Sequence, residues 1–108
     1  MAGLNKVMII GNLGAAPDMR YMADGTAMTS FRVASSRSFT ASDGERREET
    51  EWFAVVTWKK LAELCSQFLQ KGRRVYVEGR LRTRSWDTPD GQLRYRTEVV
   101  AESVLFLN

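Results

Sequence analysis

The sequence predicts a small all-β barrel that carries one helix. Apolar and polar residues alternate with a period of two through several segments, which is the pattern of half-buried strands. One segment, residues 59–71, instead spaces its apolar residues as a helix does. At 108 residues the chain is close to the commonest domain size, so we expect a single domain, residues 1–108.

The first predicted strand, residues 4–13, is rich in β-forming residues. Its central side chains form two rows, with Lys6, Met8 and Ile10 on one side and Val7 and Ile9 on the other. Both rows are partly apolar, so we expect one to face the core and the other a second subunit. The GNLG at its end predicts a bend or bulge, with a backbone clamp on phosphate as the alternative.

A DG pair signals a hairpin before the second predicted strand, residues 27–39. Alternation along this strand places Phe31 and Val33 at core positions. Arg32 and Arg37 fall on opposite faces unless the strand bends.

Residues 40–50 are polar and charged around a central glycine, which predicts an exposed, mobile hairpin loop. A flap that closes over a bound strand is the alternative, favoured by Phe39 at its base. The third predicted strand, residues 51–58, carries Trp52 and Trp58 on one face. Six residues of strand separate the two rings by roughly 20 Å at ~3.3 Å per residue, which is enough to span several bases.

The predicted helix, residues 59–71, has a clear apolar stripe and a glycine, Gly72, at the position of a helix C′ residue. The stripe consists of Leu61, Leu64, Cys65 and Phe68. Cys65 is expected to be a packed thiol rather than a nucleophile, because the chain contains no histidine to activate it.

The fourth predicted strand, residues 73–86, separates an apolar row from a cationic row. Val75, Val77 and Leu81 are predicted to face the core. The other row consists of Tyr76, Glu78, Arg80, Arg82, Arg84 and Trp86. A second DG turn leads to the last predicted strand, residues 93–106. Five strands, with the helix between the third and the fourth, are the element order of the OB-fold, a Greek-key barrel.

The composition disfavours catalysis, metal binding and membrane insertion. The chain has no histidine and one cysteine, so it offers no catalytic triad, no metal-ligand cluster and no intramolecular disulfide. It also has no phosphate-binding GxxxxGK[ST] motif and no apolar run of membrane-spanning length. We therefore expect a non-enzyme without cofactor or metal. The lone cysteine and the lack of a signal or transit peptide suggest the cytoplasm, at the nucleoid.

Aromatic residues interleaved with arginines predict a surface that stacks bases and holds phosphates. A row with three arginines cannot line a barrel interior without a heavy desolvation cost. The alternative interpretation of each tryptophan is a core position, and the alternative for the arginine row is a solvated face without a ligand. Two other functions are also consistent with the sequence. The chain could be a primosomal or RNA-binding OB protein, or an oligomeric scaffold that mainly binds protein.

Four segments of the chain resemble the bacterial and mitochondrial single-stranded DNA-binding proteins. They are NKVMIIGNLGAAPDMRYMADGTA at residues 5–27, TEWFAVVTWKKLAE at 50–63, QKGRRVYVEGRLRTRSW at 70–86 and YRTEVVAESV at 95–104. The resemblance implies an OB-fold, a homotetramer and single-stranded DNA (ssDNA) wrapped around it. Relatives usually continue into a flexible linker and an acidic tip that recruits protein partners, and neither is present here. Such partners are expected only if a longer natural chain exists.

The resemblance also assigns roles to individual residues. The implied base-stacking residues are Phe39, Trp52, Trp58 and Trp86, although the family commonly has tryptophan at the position of Phe39 and phenylalanine at that of Trp58. The implied phosphate-binding residues are Lys60, Lys71, Arg82 and Arg84. The first strand, at Lys6, Val7, Met8, Ile9 and Ile10, resembles the family's dimer-forming strand. Further possible DNA contacts are Arg32, Arg37, Arg73, Arg80, Arg94 and Arg96.

Overall fold

The computed structural model describes residues 2–108, which form six strands and one helix. In chain order these elements are β1 (Val7–Leu13), β2 (Asp18–Tyr21), β3 (Ala27–Thr40), β4 (Arg46–Trp58), α1 (Lys59–Phe68), β5 (Arg74–Asp87) and β6 (Leu93–Leu107). Five strands close a barrel in the order β1-β5-β6-β4-β3, and β3 pairs back to β1. Only β4 and β6 pair in parallel. The predicted OB-fold is confirmed, with the helix after the third barrel strand.

The extra strand β2 was missed by the sequence prediction. It pairs with the start of β3, from Asp18 opposite Ser30 to Tyr21 opposite Ala27. Its residues are mostly exposed, so it has no apolar alternation to reveal it. The predicted hairpin between β2 and β3 is confirmed, with Gly25 at φ 89°.

The barrel interior is filled by the apolar rows that the period-two pattern predicts. Its fully buried side chains include Val33, Val55, Val75, Val77 and Val99. The prediction that Leu81 belongs to this core is wrong, because Leu81 is 45% exposed. β5 pairs with β1 only as far as Gly79, so Leu81 lies beyond the end of β1.

The two long hairpins extend beyond the barrel as arms. In the first arm β3 and β4 stay paired from Met28 opposite Trp58 to Thr40 opposite Arg46. In the second, β5 and β6 stay paired to Asp87 opposite Leu93. Most of the predicted loop at residues 40–50 is therefore strand, and the turn is confined to residues 41–45. Both faces of this arm meet solvent, so it lacks the alternation that identifies a strand.

The helix ends earlier than predicted, at Phe68 instead of residue 71. Leu69 leaves the helix in an extended conformation and is buried in the core at 4% exposure. Gly72, at φ 85°, belongs to the turn before β5 and does not cap the helix. The predicted stripe is shifted, because Ala62 and Cys65 are fully buried whereas Phe68 is half exposed.

Residues 2–108 contain no helix that is long and apolar enough to cross a membrane. Within the same range, no three histidine, cysteine, aspartate or glutamate residues are grouped closely enough to hold a metal ion.

Candidate nucleic-acid interface

A groove of about 780 Å³ lies on the outer face of the barrel, beneath the two arms. Its floor is the outward row of β4, from Trp52 through Ala54 and Val56 to Trp58. Four arginines line it: Arg32 from β3, Arg82 and Arg84 from β5, and Arg96 from β6. The strand alternation predicted that Trp52 and Trp58 share one face of their strand, and that Arg82 and Arg84 share one face of theirs. The barrel topology brings the two rows together.

Trp52 lies at one end of the groove floor and is 46% exposed. A Cβ built on Gly14 would lie 2.5 Å from the Trp52 ring, so the ring packs directly on this glycine's backbone. The guanidinium carbon of Arg32 lies 5.0 Å from the ring centroid. Gly14 and Arg32 therefore hold the ring in place while part of its surface stays open.

Trp58 lies at the other end of the floor, where β4 passes into the helix. It is partly buried and stands opposite Met28 in the β3–β4 ladder. Met22 and Met28 line the groove beside it. The sequence interpretation did not assign these methionines to the site, although Met28 shares the alternation of Arg32.

Arg82 and Arg84 form the cationic wall of the groove and share one carboxylate. Arg82 Nη2 donates a hydrogen bond to Glu98 Oε1 at 2.7 Å, and Arg84 Nε donates to Glu98 Oε2 at 3.4 Å. Glu98 is only 3% exposed. Arg82 Nε is buried and has no hydrogen-bond partner among residues 2–108. Glu98 was not predicted as a site residue, because its pairing with Arg82 depends on the β5–β6 register.

Trp86 lies further along the β5–β6 arm, opposite Arg94. It is 40% exposed, and the Arg84 guanidinium carbon lies 5.0 Å from its ring centroid. Arg84 thus contacts both the buried carboxylate and the exposed indole. Trp86 extends the aromatic surface beyond the groove toward the tip of the arm.

Phe39 does not reach this groove within one chain. The β3–β4 register is continuous, so alternation places Phe39 and Arg37 on the face of β3 opposite Arg32. The Arg37 guanidinium carbon lies 4.8 Å from the Phe39 ring centroid, and Arg37 Nε pairs with Glu49 at 3.3 Å. Phe39 is therefore a separate aromatic site on the β3–β4 arm.

Five other predicted cations lie outside the groove. Lys60 lines a shallow depression with Asp24 and Glu63 at the start of the helix. Arg73 Nε donates to the Leu107 carbonyl at 3.1 Å. The other three, Lys71, Arg80 and Arg94, are exposed and do not line the groove.

The outer face of β1 presents an apolar surface. Met8 and Ile10 are exposed, together with Leu105 of β6, whereas Ile9 is buried in the core and Val7 packs against it. Val7–Gly11 pair with β5 only, because β3 meets β1 only at Asn12 and Leu13. Of the residues predicted at the interface, Lys6, Met8 and Ile10 are therefore exposed along an open strand edge, whereas Val7 and Ile9 face the core.

A polar cluster borders this apolar surface. Lys6 Nζ lies 3.3 Å from Glu78 Oε2, and the Tyr76 hydroxyl donates to Glu78 Oε1 at 2.7 Å. The hydrogen bond from Tyr76 lowers the pKa of Glu78, and the same bond raises the pKa of Tyr76. The carboxylate therefore stays ionised between a phenol and an ammonium group.

Sequence comparisons point to one family. The model of the single-strand binding protein family matches residues 4–107. Single-stranded DNA-binding protein 1 of Chlorobaculum tepidum is 50% identical over 106 residues, which cover 97% of this chain and 65% of that protein. Single-stranded DNA-binding protein 1 of Xylella fastidiosa is 47% identical over 108 residues, which cover 99% of this chain and 79% of that protein. The chain thus spans slightly less than two thirds of the Chlorobaculum relative.

Solved structures agree with the sequence matches. The Plasmodium falciparum SSB in complex with ssDNA has a TM-score of 0.91 and 32% identity, covering 100% of this chain and 98% of that one. A deletion mutant of the single-stranded DNA binding protein from Thermus aquaticus has a TM-score of 0.86 and 36% identity. It covers 98% of this chain and 51% of that one.

Proposed function

The chain belongs to the single-strand binding protein family, and from that premise we propose that it binds ssDNA with little sequence preference. Such binding protects the strand during replication, recombination and repair. Proteins of this family bind DNA and are not catalysts, so the prediction of a non-enzyme is confirmed. The observation that carries the proposal is the groove, in which two tryptophans and four arginines share one open surface.

Stacking supplies the sequence-independent part of the affinity. Every base has a π-face, and stacking on an aromatic side chain is worth ~1–3 kcal/mol per base. Trp52 and Trp58 at the two ends of the floor, with Trp86 on the arm, provide three such rings. A strand laid along the groove would therefore stack at several points without a hydrogen bond to any base edge.

The arginines supply the phosphate contacts. Arg32 and Arg84 each lie over an indole ring, so a phosphate next to a stacked base finds a guanidinium within reach. Arg82 lines the same groove and is partly exposed, so its guanidinium is a further phosphate contact. Lys60, Lys71 and the remaining exposed arginines are contacts only for a strand that continues beyond the groove.

We further propose that the chain assembles as a homotetramer through the outward row of β1. Met8, Ile10 and Leu105 form one exposed apolar surface. The unpaired edge of β1 beside it can accept a strand from a second copy of the chain. Assembly would bring the grooves and the Phe39 arms of several chains onto one particle. A protein that acts on DNA in this way works at the nucleoid, in the cytoplasm.

Tryptophan fluorescence titration with oligo-dT at about 50 and about 200 mM salt tests the proposed function. We expect quenching at the lower salt, because bases stack on the indoles. Neutralisation of four phosphates predicts a slope of about −3 in log K against log salt, since each contributes ~0.7 for a single strand. No quenching at either salt would contradict the proposal and favour a protein-binding scaffold. Equal affinity for oligo-dT and oligo-rU would favour a general OB-fold binder of single strands.

A further inference from the structure

Glu98 is an unexpected residue in a groove proposed to bind an anion. It lines the groove together with Arg32, Arg82, Arg84 and Arg96, yet it is only 3% exposed. Burial of a carboxylate is costly unless it is paired, and its charge repels a nearby phosphate. Its hydrogen bonds to Arg82 and Arg84 offset the cost of burial and order the cationic wall.

The β5–β6 register shows what the carboxylate does for its neighbours. Arg82 stands directly opposite Glu98, and Arg84 directly opposite Arg96. Like charges on opposed strand positions repel each other, so Arg84 and Arg96 would otherwise turn away from one another. Glu98 lies between the guanidiniums of Arg82 and Arg84 and accepts a hydrogen bond from each, at 2.7 and 3.4 Å.

The second contact connects the carboxylate to a stacking ring. Glu98 engages Arg84 through Nε, which leaves both Nη groups free, and the same guanidinium lies 5.0 Å from the Trp86 centroid. The contact at Nε restricts the rotamers of Arg84, which lowers the entropy that binding would otherwise cost. The indole beneath it gains a cation–π contact that restrains its orientation.

We propose that Glu98 is a positioning residue for base stacking, which acts by holding Arg84 against Trp86. This inference rests on the proposed ssDNA binding and identifies a residue on which that binding depends. Glu98 itself does not touch DNA, because its side chain is almost completely buried. Because Arg82 and Arg84 are also proposed phosphate contacts, the part of the affinity that depends on bases is the readout specific to this role.

Two oligonucleotides separate these parts of the affinity. Oligo-dT and an abasic oligonucleotide of the same length carry the same phosphates, so the ratio of their association constants reports stacking alone. We expect Glu98→Gln to lower this ratio about fivefold, because the neutral amide has one acceptor oxygen in place of the two that accept from Arg82 and Arg84. Binding of the abasic strand should stay the same or tighten, since one negative charge is removed. Glu102→Gln is the matched control: Glu102 is exposed on β6 outside the groove, and its ratio should not change.

A second variant tests the route through Arg84. Arg84→Met should lower the ratio to a similar extent, and Glu98→Gln should add no further loss in that background. If Glu98→Gln fails to fold, as judged by circular dichroism, Arg84→Met still tests the contact between Arg84 and Trp86 on which the inference depends. An unchanged ratio in Arg84→Met, or in folded Glu98→Gln, would overturn the inference and leave the proposed function intact. A wild-type chain that binds neither oligonucleotide would overturn both.

Discussion

At the scale of single residues, the GNLG motif illustrates what a sequence pattern can and cannot predict. The pattern predicted a bend, and the chain does bend at Gly14 after β1 ends. The specific need for each glycine depends on a partner distant in sequence. A Cβ on Gly11 would lie 2.2 Å from the Ala34 carbonyl oxygen, whereas one on Gly14 would meet only the Trp52 ring. One glycine therefore closes the barrel, and the other supports the proposed site.

The two glycines should respond differently to substitution by alanine. Gly11→Ala should lower the free energy of unfolding by about 1–3 kcal/mol, because the Ala34 backbone cannot move aside cheaply. Gly14→Ala should displace Trp52 and weaken oligo-dT binding severalfold, with a stability change within about 0.5 kcal/mol. Urea unfolding and fluorescence titration measure these effects, with Gly3→Ala as the control, since nothing lies within 4 Å of its added Cβ. Equal destabilisation by the first two variants would refute the distinction.

At the scale of elements, the interior segments were predictable and the projecting ones were not. Strands with one buried face show alternation, so the barrel portions of β3, β4, β5 and β6 were identified. The β3–β4 arm meets solvent on both faces and is held by backbone pairing and cross-strand contacts such as Ser36 with Thr50 at 2.8 Å. A polar sequence of that kind resembles a loop. The helix end was missed because Leu69 is used by the core rather than by the helix.

The burial of Cys65 in the helix predicts how the free energy of unfolding depends on pH. Burial raises the pKa of its thiol from 9.0 to about 11. Between these values the unfolded chain releases a proton that the folded chain retains, so the free energy of unfolding falls as pH rises through this window. Below pH 9.0 the thiol is protonated in both the folded and the unfolded chain, so it does not lower the free energy of unfolding.

Urea unfolding of the wild type and of Cys65→Ala between pH 9.0 and about 11 isolates this effect, because all other titrating groups are shared. The wild type should lose more stability over this range than the variant, whatever the variant's absolute stability. Parallel curves would mean that the thiol is not protected from ionisation by burial.

At the scale of the whole molecule, the barrel topology places the proposed groove and the proposed subunit interface on different surfaces. The sequence predicted both rows of β1 as partly apolar, and the structure assigns Val7 and Ile9 to the core and Met8 and Ile10 to the outside. The position of Phe39, by contrast, could not have been derived from alternation, and it lies away from the groove of its own chain. Its assignment as a stacking residue stays a prediction that depends on a neighbouring chain or an extended path for the strand.

Light scattering tests the proposed assembly. The wild type should have the mass of a tetramer at micromolar concentration. Ile10→Glu, a charge placed on the outward row of β1, should shift the mass toward smaller species. Leu93→Glu places the same charge on a residue of comparable exposure on the β5–β6 arm and should leave the mass unchanged. A monomeric wild type would contradict the proposed interface.

Base stacking on the tryptophans is tested by comparing oligo-dT affinity in Trp52→Ala, Trp86→Ala and Tyr95→Ala. Tyr95 is the matched control, since it lies on the same arm as Trp86 and is more exposed, at 67% against 40%, but stands opposite Ser85 on the other face. Each tryptophan variant should stay folded and bind ~1–3 kcal/mol more weakly, because it removes one stacking platform, whereas Tyr95→Ala should bind like the wild type. Equal affinity in all three variants, or a loss confined to Tyr95→Ala, would contradict the account.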